Sequence, residues 1–180
     1  NLTIATTCWM PKIGQKAVDL SPASRVVRAA DLSLTFRTHM NLEQKIAIVT
    51  GGASGFGAAT AVRLAQAGAK VMVADLNLAG AEKVSAQIVA SGGQASSVVV
   101  DIADRASFEN MVAETRLRLG GLDILVNNAG TTHRNKSALD VTEEEFDRVY
   151  RVNVKSLFWA AQAVLPGFVK QGHGCMVNVA

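Results

Sequence analysis

The residues with the clearest chemical potential form a glycine-rich turn at residues 50–57, with the sequence TGGASGFG. An apolar run at 46–49 precedes this turn and an alanine-rich stretch at 58–67 follows it, which predicts a strand, a turn and a helix in succession. The first N–H groups of a helix and its dipole attract an anion, and glycines let the backbone approach a pyrophosphate closely. The turn therefore predicts a phosphate-binding site.

Polar residues follow three further predicted strands and belong at the same edge of the sheet. Asp75 ends the second strand, the pair Asp101 and Ile102 follows the third, and the sequence NNAG at 127–130 follows the fourth. A carboxylate at the position of Asp75 can accept both hydroxyls of an adenosine ribose, and it would repel a 2′-phosphate. By itself Asp75 could be a solvated loop residue, but its place behind the glycine turn favours a role in binding the ribose.

The order of strands and helices predicts an α/β fold, a doubly wound parallel sheet of the Rossmann type. Because helices cover both faces of such a sheet, each strand should be a continuous apolar run. Asp104 is a predicted helix N-cap, and Thr142 with Glu145 forms a predicted capping box. Five apolar runs after Met40 fit the strand pattern, at residues 45–50, 70–74, 96–100, 123–127 and 175–179.

Composition and charge limit the possible function classes. A chain of 180 residues with 49% hydrophobic and 18% charged residues is typical of one globular domain. The formal net charge of +3 comes from residues 1–40, with five basic and two acidic residues, while residues 41–180 hold 13 of each. We therefore expect neither a nucleic-acid partner nor a membrane span. The two cysteines have no metal-ligand spacing, which predicts no metal site and a cytoplasmic setting.

Residues 1–40 differ from the rest of the chain. They show no sustained hydrophobic period, Pro11 and Pro22 interrupt them, and Met40 stands directly before the first predicted strand. We expect a disordered tail or non-native upstream sequence here, with a targeting arm or an ordered element as alternatives. Residues 41–180 are the predicted dinucleotide-binding domain, incomplete at its C-terminus.

Taken together, the pattern TGxxxGxG, Asp75, the Asp101–Ile102 pair and NNAG resemble the classical short-chain dehydrogenase/reductase family over residues 42–180. The 3-oxoacyl-carrier-protein reductases and glucose dehydrogenases are the most similar subgroups. The resemblance implies an NAD(H)-dependent oxidoreductase that interconverts a secondary alcohol and a ketone by hydride transfer, working as a homo-oligomer, a dimer or a tetramer. Family members that use NADP often carry a basic residue where this chain has Ser54, so Ser54 and Asp75 favour NAD.

The resemblance also implies a role for individual residues. The acid and the aliphatic residue of the Asp101–Ile102 pair would lie against the adenine. Asn153 matches the helix asparagine of the family's catalytic tetrad, which helps to hold a proton-relay water; alternatively, it caps a local kink in its helix. The implied NAD-binding residues are Gly51, Ser54, Gly55, Phe56, Gly57, Asp75, Leu76, Asp101, Ile102, Asn128, Ala129 and Gly130.

The family's catalytic serine and its Tyr-x-x-x-Lys pair would follow Ala180, together with the C-terminal strands. The single tyrosine of this chain, Tyr150, is followed four positions later by Val154 and not by lysine. We therefore expect an N-terminal fragment that is inactive alone and whose last strand, 175–179, is an unpaired sheet edge. The alternatives are a non-catalytic dinucleotide-binding half-domain that pairs with another chain, and a Rossmann enzyme of another kind, such as a nucleotide-sugar epimerase.

Overall fold

A computed structural model of the chain describes residues 4–9 and 42–179, and in these ranges it contains one six-stranded sheet with helices on both faces. The strands are β1 (Ile4–Trp9), β2 (Ile46–Thr50), β3 (Lys70–Asp75), β4 (Gln94–Val99), β5 (Ile124–Asn127) and β6 (Gly174–Val179). The α-helices are α1 (Gly55–Gln66), α2 (Leu78–Ala90), α3 (Arg105–Leu119), α4 (Glu143–Tyr150) and α5 (Ser156–Gln171).

The strand order is β1-β6-β5-β2-β3-β4, and strands β2 to β6 are parallel. From β2 the chain winds outward through β3 and β4, then returns to the other side of β2 to form β5 and β6. The predicted doubly wound parallel sheet with five strands is thereby confirmed, with strand ends shifted by at most two residues. The change of winding direction opens a crevice at the carboxyl ends of β2 and β5, where such folds bind ligands.

Side chains on the two faces of the central strands build two separate halves of the core. Ile48 and Met72 are fully buried against α3 and α5, in a cluster with Phe108. On the opposite face, Val49 and Val71 are fully buried in a second cluster, with α1 and α2. Since both faces of β2 and β3 are covered, the continuous apolar runs that predict these strands are buried, with the polar residues Thr50, Lys70 and Asp75 at the strand ends.

A long helical segment follows β5 and contains a local irregularity. Thr142 caps α4: its Oγ1 accepts the Glu145 N–H at 3.3 Å, and a Glu145 carboxylate oxygen accepts the Thr142 N–H at 3.0 Å, which confirms the capping box. A π-helical turn at Arg151–Lys155 joins α4 to α5. The α5 part packs on the sheet through Ala160, Val164 and Phe168.

The edge strand β1 was not predicted from the sequence. It pairs antiparallel with β6, from Ile4 opposite Val179 to Trp9 opposite Gly174. The expectation that residues 175–179 form an unpaired edge is therefore wrong, because the free N–H and C=O groups of a strand edge accept any extended segment within reach. That residues 1–40 are a tail or upstream sequence stays a prediction, as residues 1–3 and 10–41 lie outside the described ranges.

Candidate functional site

The glycine turn between β2 and α1 brings the backbone to the switch point of the sheet. Gly51 and Gly55 have φ angles of 65° and 54°, which glycine adopts without steric cost. A Cβ at Gly57 would overlap the carbonyl group of Gly51, so the helix starts directly against the turn. The side chain of Ser54, the N-cap of α1, makes no capping hydrogen bond. The first-turn N–H groups of α1 are therefore left for another acceptor, as an anion site requires.

Thr50 connects the glycine turn to the NNAG segment. Its hydroxyl donates to the Val126 carbonyl at 3.2 Å and accepts the N–H groups of Asn128 at 3.0 Å and Ala129 at 3.1 Å. The Asn128 side chain donates back to the carbonyl groups of Thr50 at 2.9 Å and Gly51 at 3.3 Å. These five hydrogen bonds hold the ends of β2 and β5 in one arrangement.

Asp75, at the end of β3, is hydrogen-bonded to the glycine turn. Its two carboxylate oxygens accept the N–H groups of Ala53 and Asn77, each at 2.9 Å. The first bond ties the carboxylate to the glycine turn, which places it at the mouth of the crevice beside Leu76, a residue that is 70% exposed. The carboxylate keeps lone pairs for further donors, such as ribose hydroxyls.

Asp101 and Ile102, which follow β4 in the chain, form another wall of the crevice. An Asp101 carboxylate oxygen accepts the Ala103 N–H at 2.8 Å, which fixes the turn into α3. Asp104 caps α3 by accepting the Ser107 N–H at 2.8 Å, as predicted. Ile102 is half-buried against the core, so the wall has an apolar surface and an adjacent carboxylate. This combination suits a flat heteroaromatic ring with polar edges.

Asn153 lies in the π-helical turn and fastens the loop that follows NNAG. Its side-chain oxygen accepts the Thr131 N–H at 2.9 Å, and its amide group donates to the Thr131 carbonyl at 2.8 Å. Both polar atoms of the Asn153 side chain are therefore engaged with one residue of the backbone. The role of Asn153 in a proton relay stays a prediction.

All twelve implied cofactor-binding residues line one cavity of about 560 Å³. Asn153 is not among the lining residues. Four lining residues were missed by the sequence analysis: Val100, Thr131, Arg148 and Val152. Arg148 and Val152 are four residues apart and so share one side of a helix, but which side meets the crevice depends on the π-helical turn at Arg151–Lys155.

The loop at the rim of the crevice is attached to α4 by an ion pair. Lys136 Nζ lies 2.5 Å from a Glu145 carboxylate oxygen. The hydrogen bond from Lys136 lowers the pKa of Glu145, and the backbone N–H of Thr142 lowers it further. In the part of the chain that the structure describes, no group of three metal-ligating side chains is found. No helix within 42–179 is long and apolar enough to cross a bilayer.

Comparison with known proteins identifies the class to which this fold and crevice belong. A family model described as short chain dehydrogenase matches residues 45–180. The chain belongs to the short-chain dehydrogenase family, as the resemblance of its motifs implied.

Individual relatives give a closer comparison. The chain is 60% identical over 141 residues to 4-formylbenzenesulfonate dehydrogenase from Comamonas testosteroni, covering 78% of this chain and 56% of the relative. It is 36% identical over 140 residues to a 3-oxoacyl-[acyl-carrier-protein] reductase from Thermotoga maritima, with the same coverage. The chain thus spans about half the length of the curated relatives it matches.

Solved structures agree with this assignment. A 3-ketoacyl-(acyl-carrier-protein) reductase from Brucella melitensis, complexed with NADH, has a TM-score of 0.68 and 41% identity, over 73% of this chain and 52% of that one. A short-chain type dehydrogenase/reductase from Mycobacterium marinum has a TM-score of 0.70 and 34% identity, over 74% of this chain and 53% of that one.

Proposed function

We propose that this chain forms the cofactor-binding part of an NAD(H)-dependent oxidoreductase that interconverts a secondary alcohol and a ketone by hydride transfer. The observation that carries the proposal is the crevice at the switch point, where the hydrogen bonds of Thr50 join the glycine turn to NNAG and the N–H of Ala53 joins the turn to Asp75. The names of the relatives, which are dehydrogenases and reductases, support the same reaction class.

The residues of the crevice fit a dinucleotide. Gly57 keeps the backbone clear where a Cβ would obstruct it, and the uncapped start of α1 offers N–H groups to a diphosphate. Asp75 would hold the adenosine ribose, and Leu76, Asp101 and Ile102 would surround the adenine. NAD, when bound, supplies or accepts the hydride at its nicotinamide ring.

The preference for NAD over NADP follows from charge. With the adenosine ribose held by Asp75, a 2′-phosphate would lie close to this carboxylate, and Ser54 offers no compensating positive charge. An additional phosphate would therefore meet a like charge at short range. We propose that NADH binds more tightly than NADPH.

The position of Asn153 supports a role near the reaction centre. By holding Thr131, its side chain orders the loop directly after Gly130, on the side of the crevice away from Asp75. We propose that Asn153 contributes to the proton relay, with its side chain setting the loop and the π-helical turn loosening the backbone hydrogen bonding there.

An exposed apolar stripe along α4 and α5 supports a homo-oligomer. Phe146 and Tyr150 stack with ring centroids 6.3 Å apart, and Phe158 and Val169 are 59% and 62% exposed. Large apolar side chains exposed on two consecutive helices favour association. We propose a dimer or tetramer in a cytoplasmic setting, and light scattering after size exclusion would measure its mass.

One titration tests the proposed function. Calorimetry of the 180-residue chain with NADH should give saturable binding, with weaker binding of NADPH. Absence of NADH binding by the folded chain would contradict the proposal.

A second candidate is a dinucleotide-binding unit that does not catalyse turnover. It rests on the crevice, whose walls for a dinucleotide are present among the described residues. NADH binding without oxidation of any tested alcohol by NAD would support this candidate for the chain as given. Turnover by the 180-residue chain would reject it.

A further inference from the structure

Arg148 is the one residue in the described lining of the crevice that carries a positive charge. The other charged residues of this lining, Asp75 and Asp101, are acidic. Arg148 lies in α4, one helical turn before Val152, and none of the implied cofactor-binding residues comes from this helix. The crevice therefore has a cation on a wall that the family's cofactor motifs do not include.

The guanidinium group of Arg148 is almost free of protein partners. It donates one long hydrogen bond, from Nη2 to the Thr132 carbonyl at 3.4 Å, and it forms no ion pair with any carboxylate in the described ranges. A guanidinium has five N–H donors in a planar fork. Arg148 thus retains most of its hydrogen-bonding capacity for a ligand.

The two carboxylates of the crevice accept hydrogen bonds from backbone N–H groups and not from Arg148. The carboxylate of Asp75 accepts the N–H groups of Ala53 and Asn77, and that of Asp101 accepts the N–H of Ala103. Neither carboxylate neutralises Arg148. Because Arg148 is exposed and bound to neither carboxylate, its guanidinium group is accessible to a bound anion.

Helix α1, which begins at the glycine turn, and α5, which follows Arg148 through the π-helical turn, pack on opposite faces of the sheet, and the glycine turn and Arg148 line the same crevice. Helix α1, which begins at that turn, packs on the face formed by Val49 and Val71. Helix α5, which continues from α4, packs on the opposite face with Ile48 and Met72. A ligand seated on the glycine turn is consequently open to Arg148 from the other side.

We propose that Arg148 binds a phosphate of the dinucleotide's diphosphate, opposite the N–H groups that begin α1. This inference rests on the proposed function. Arginine matches phosphate oxygens in a bidentate way, so the diphosphate would be held between a helix N-terminus and a side-chain cation. Arg148 determines how tightly the cofactor is bound, and it takes no part in the proton transfer.

The test compares three ligands by calorimetry on the full 180-residue chain: adenosine, ADP-ribose and NADPH. The variant Arg148→Gln removes the charge but keeps most of the side-chain length. Arg151→Gln is the matched control, since Arg151 is exposed on the same helical segment and does not line the crevice. Melting curves of both variants verify that the fold is retained.

We expect Arg148→Gln to weaken ADP-ribose binding by about 10- to 100-fold, to leave adenosine binding unchanged, and to reduce the salt dependence of ADP-ribose binding. Arg151→Gln should bind all three ligands as the unaltered chain does. Equal ADP-ribose affinity in the two variants would overturn the inference. A loss confined to NADPH would overturn it too, because the contact would then be to the 2′-phosphate. If the unaltered chain binds no ADP-ribose, the proposed function fails and not merely the role of Arg148.

Discussion

The hydroxyl group of Thr50 joins the two motifs that form the crevice. The hydroxyl donates its one hydrogen to the Val126 carbonyl group. Its two lone pairs accept the N–H groups of Asn128 and Ala129, so its full hydrogen-bonding capacity is used. Thr50 is also 1% exposed, so water cannot replace these bonds. One small side chain therefore makes three of the five hydrogen bonds that hold the glycine turn and NNAG together.

Replacement of Thr50 by valine should lower the free energy of unfolding by about 1–3 kcal/mol, because the N–H groups of Asn128 and Ala129 lose their acceptor while the volume is kept. Urea unfolding followed by circular dichroism measures this change. Thr60→Val is the control, since Thr60 lies partly exposed in α1. Equal destabilisation by the two substitutions would show that the hydroxyl of Thr50 has no special role.

The choice of cofactor should depend on Asp75. We expect Asp75→Ala to weaken the preference for NADH over NADPH by about 5- to 150-fold, equivalent to about 1–3 kcal/mol, since the ribose loses a charge-assisted acceptor. Paired calorimetric titrations with NADH and NADPH give the ratio. Asp140→Ala, at an exposed site outside the crevice, should leave the ratio unchanged. Tighter NADPH binding by the unaltered chain would show that the assignment of Asp75 is wrong.

At the scale of elements, the start of α4 combines a capping box with the ion pair between Lys136 and Glu145. The lowered pKa of Glu145 means that folding favours its ionised form. Its contribution to stability is therefore present above the usual value of 4.5 and is lost as pH falls through the lower folded value. Acid should release the rim loop at Lys136 from α4.

Carbon-detected NMR titration of the Glu145 carboxyl group tests this coupling. In the unaltered chain its pKa should lie below 4.5. In Lys136→Met the pKa should rise towards that value, because the charged donor is removed. Lys170→Met, at a site outside the rim loop, should have no effect on it. A pKa of Glu145 that is the same in all three proteins would contradict the described ion pair.

The elements that sequence reasoning predicted are those whose signals are local. The central strands β2 and β3 are apolar runs because both their faces are covered, and the caps at Asp104 and Thr142 depend on residues three positions away. β1 depends on pairing with β6, at the other end of the chain, and a local pattern cannot report such a contact. The same limit applies to Arg148: its helix was predicted, but which side of the helix meets the crevice depends on the π-helical turn.

At the scale of the whole molecule, β1 completes the sheet at the edge of β6. Backbone hydrogen bonds between the two strands remove a free edge from the described structure. Removal of residues 1–9 should therefore expose β6 to exchange with solvent and to association with other chains.

Hydrogen exchange measured by NMR should show lower protection of β6 amides in a variant lacking residues 1–9, with β3 amides unchanged as the internal control. Light scattering should show faster aggregation of this variant, because the edge of β6 is open. Unchanged protection of β6 would show that β1 does not hold that edge in solution.

The π-helical turn at Arg151–Lys155 determines how α4 is oriented relative to α5. Such a turn accommodates one residue more than an α-helical turn does, and each residue of an α-helix rotates the chain by about 100°. Loss of a single residue here would leave α5 seated on the sheet through Val164 and Phe168 but would swing α4 by about that angle, carrying Arg148 out of the crevice. The length of this segment, counted in residues, is thus as much a part of the binding site as the identity of any side chain in it.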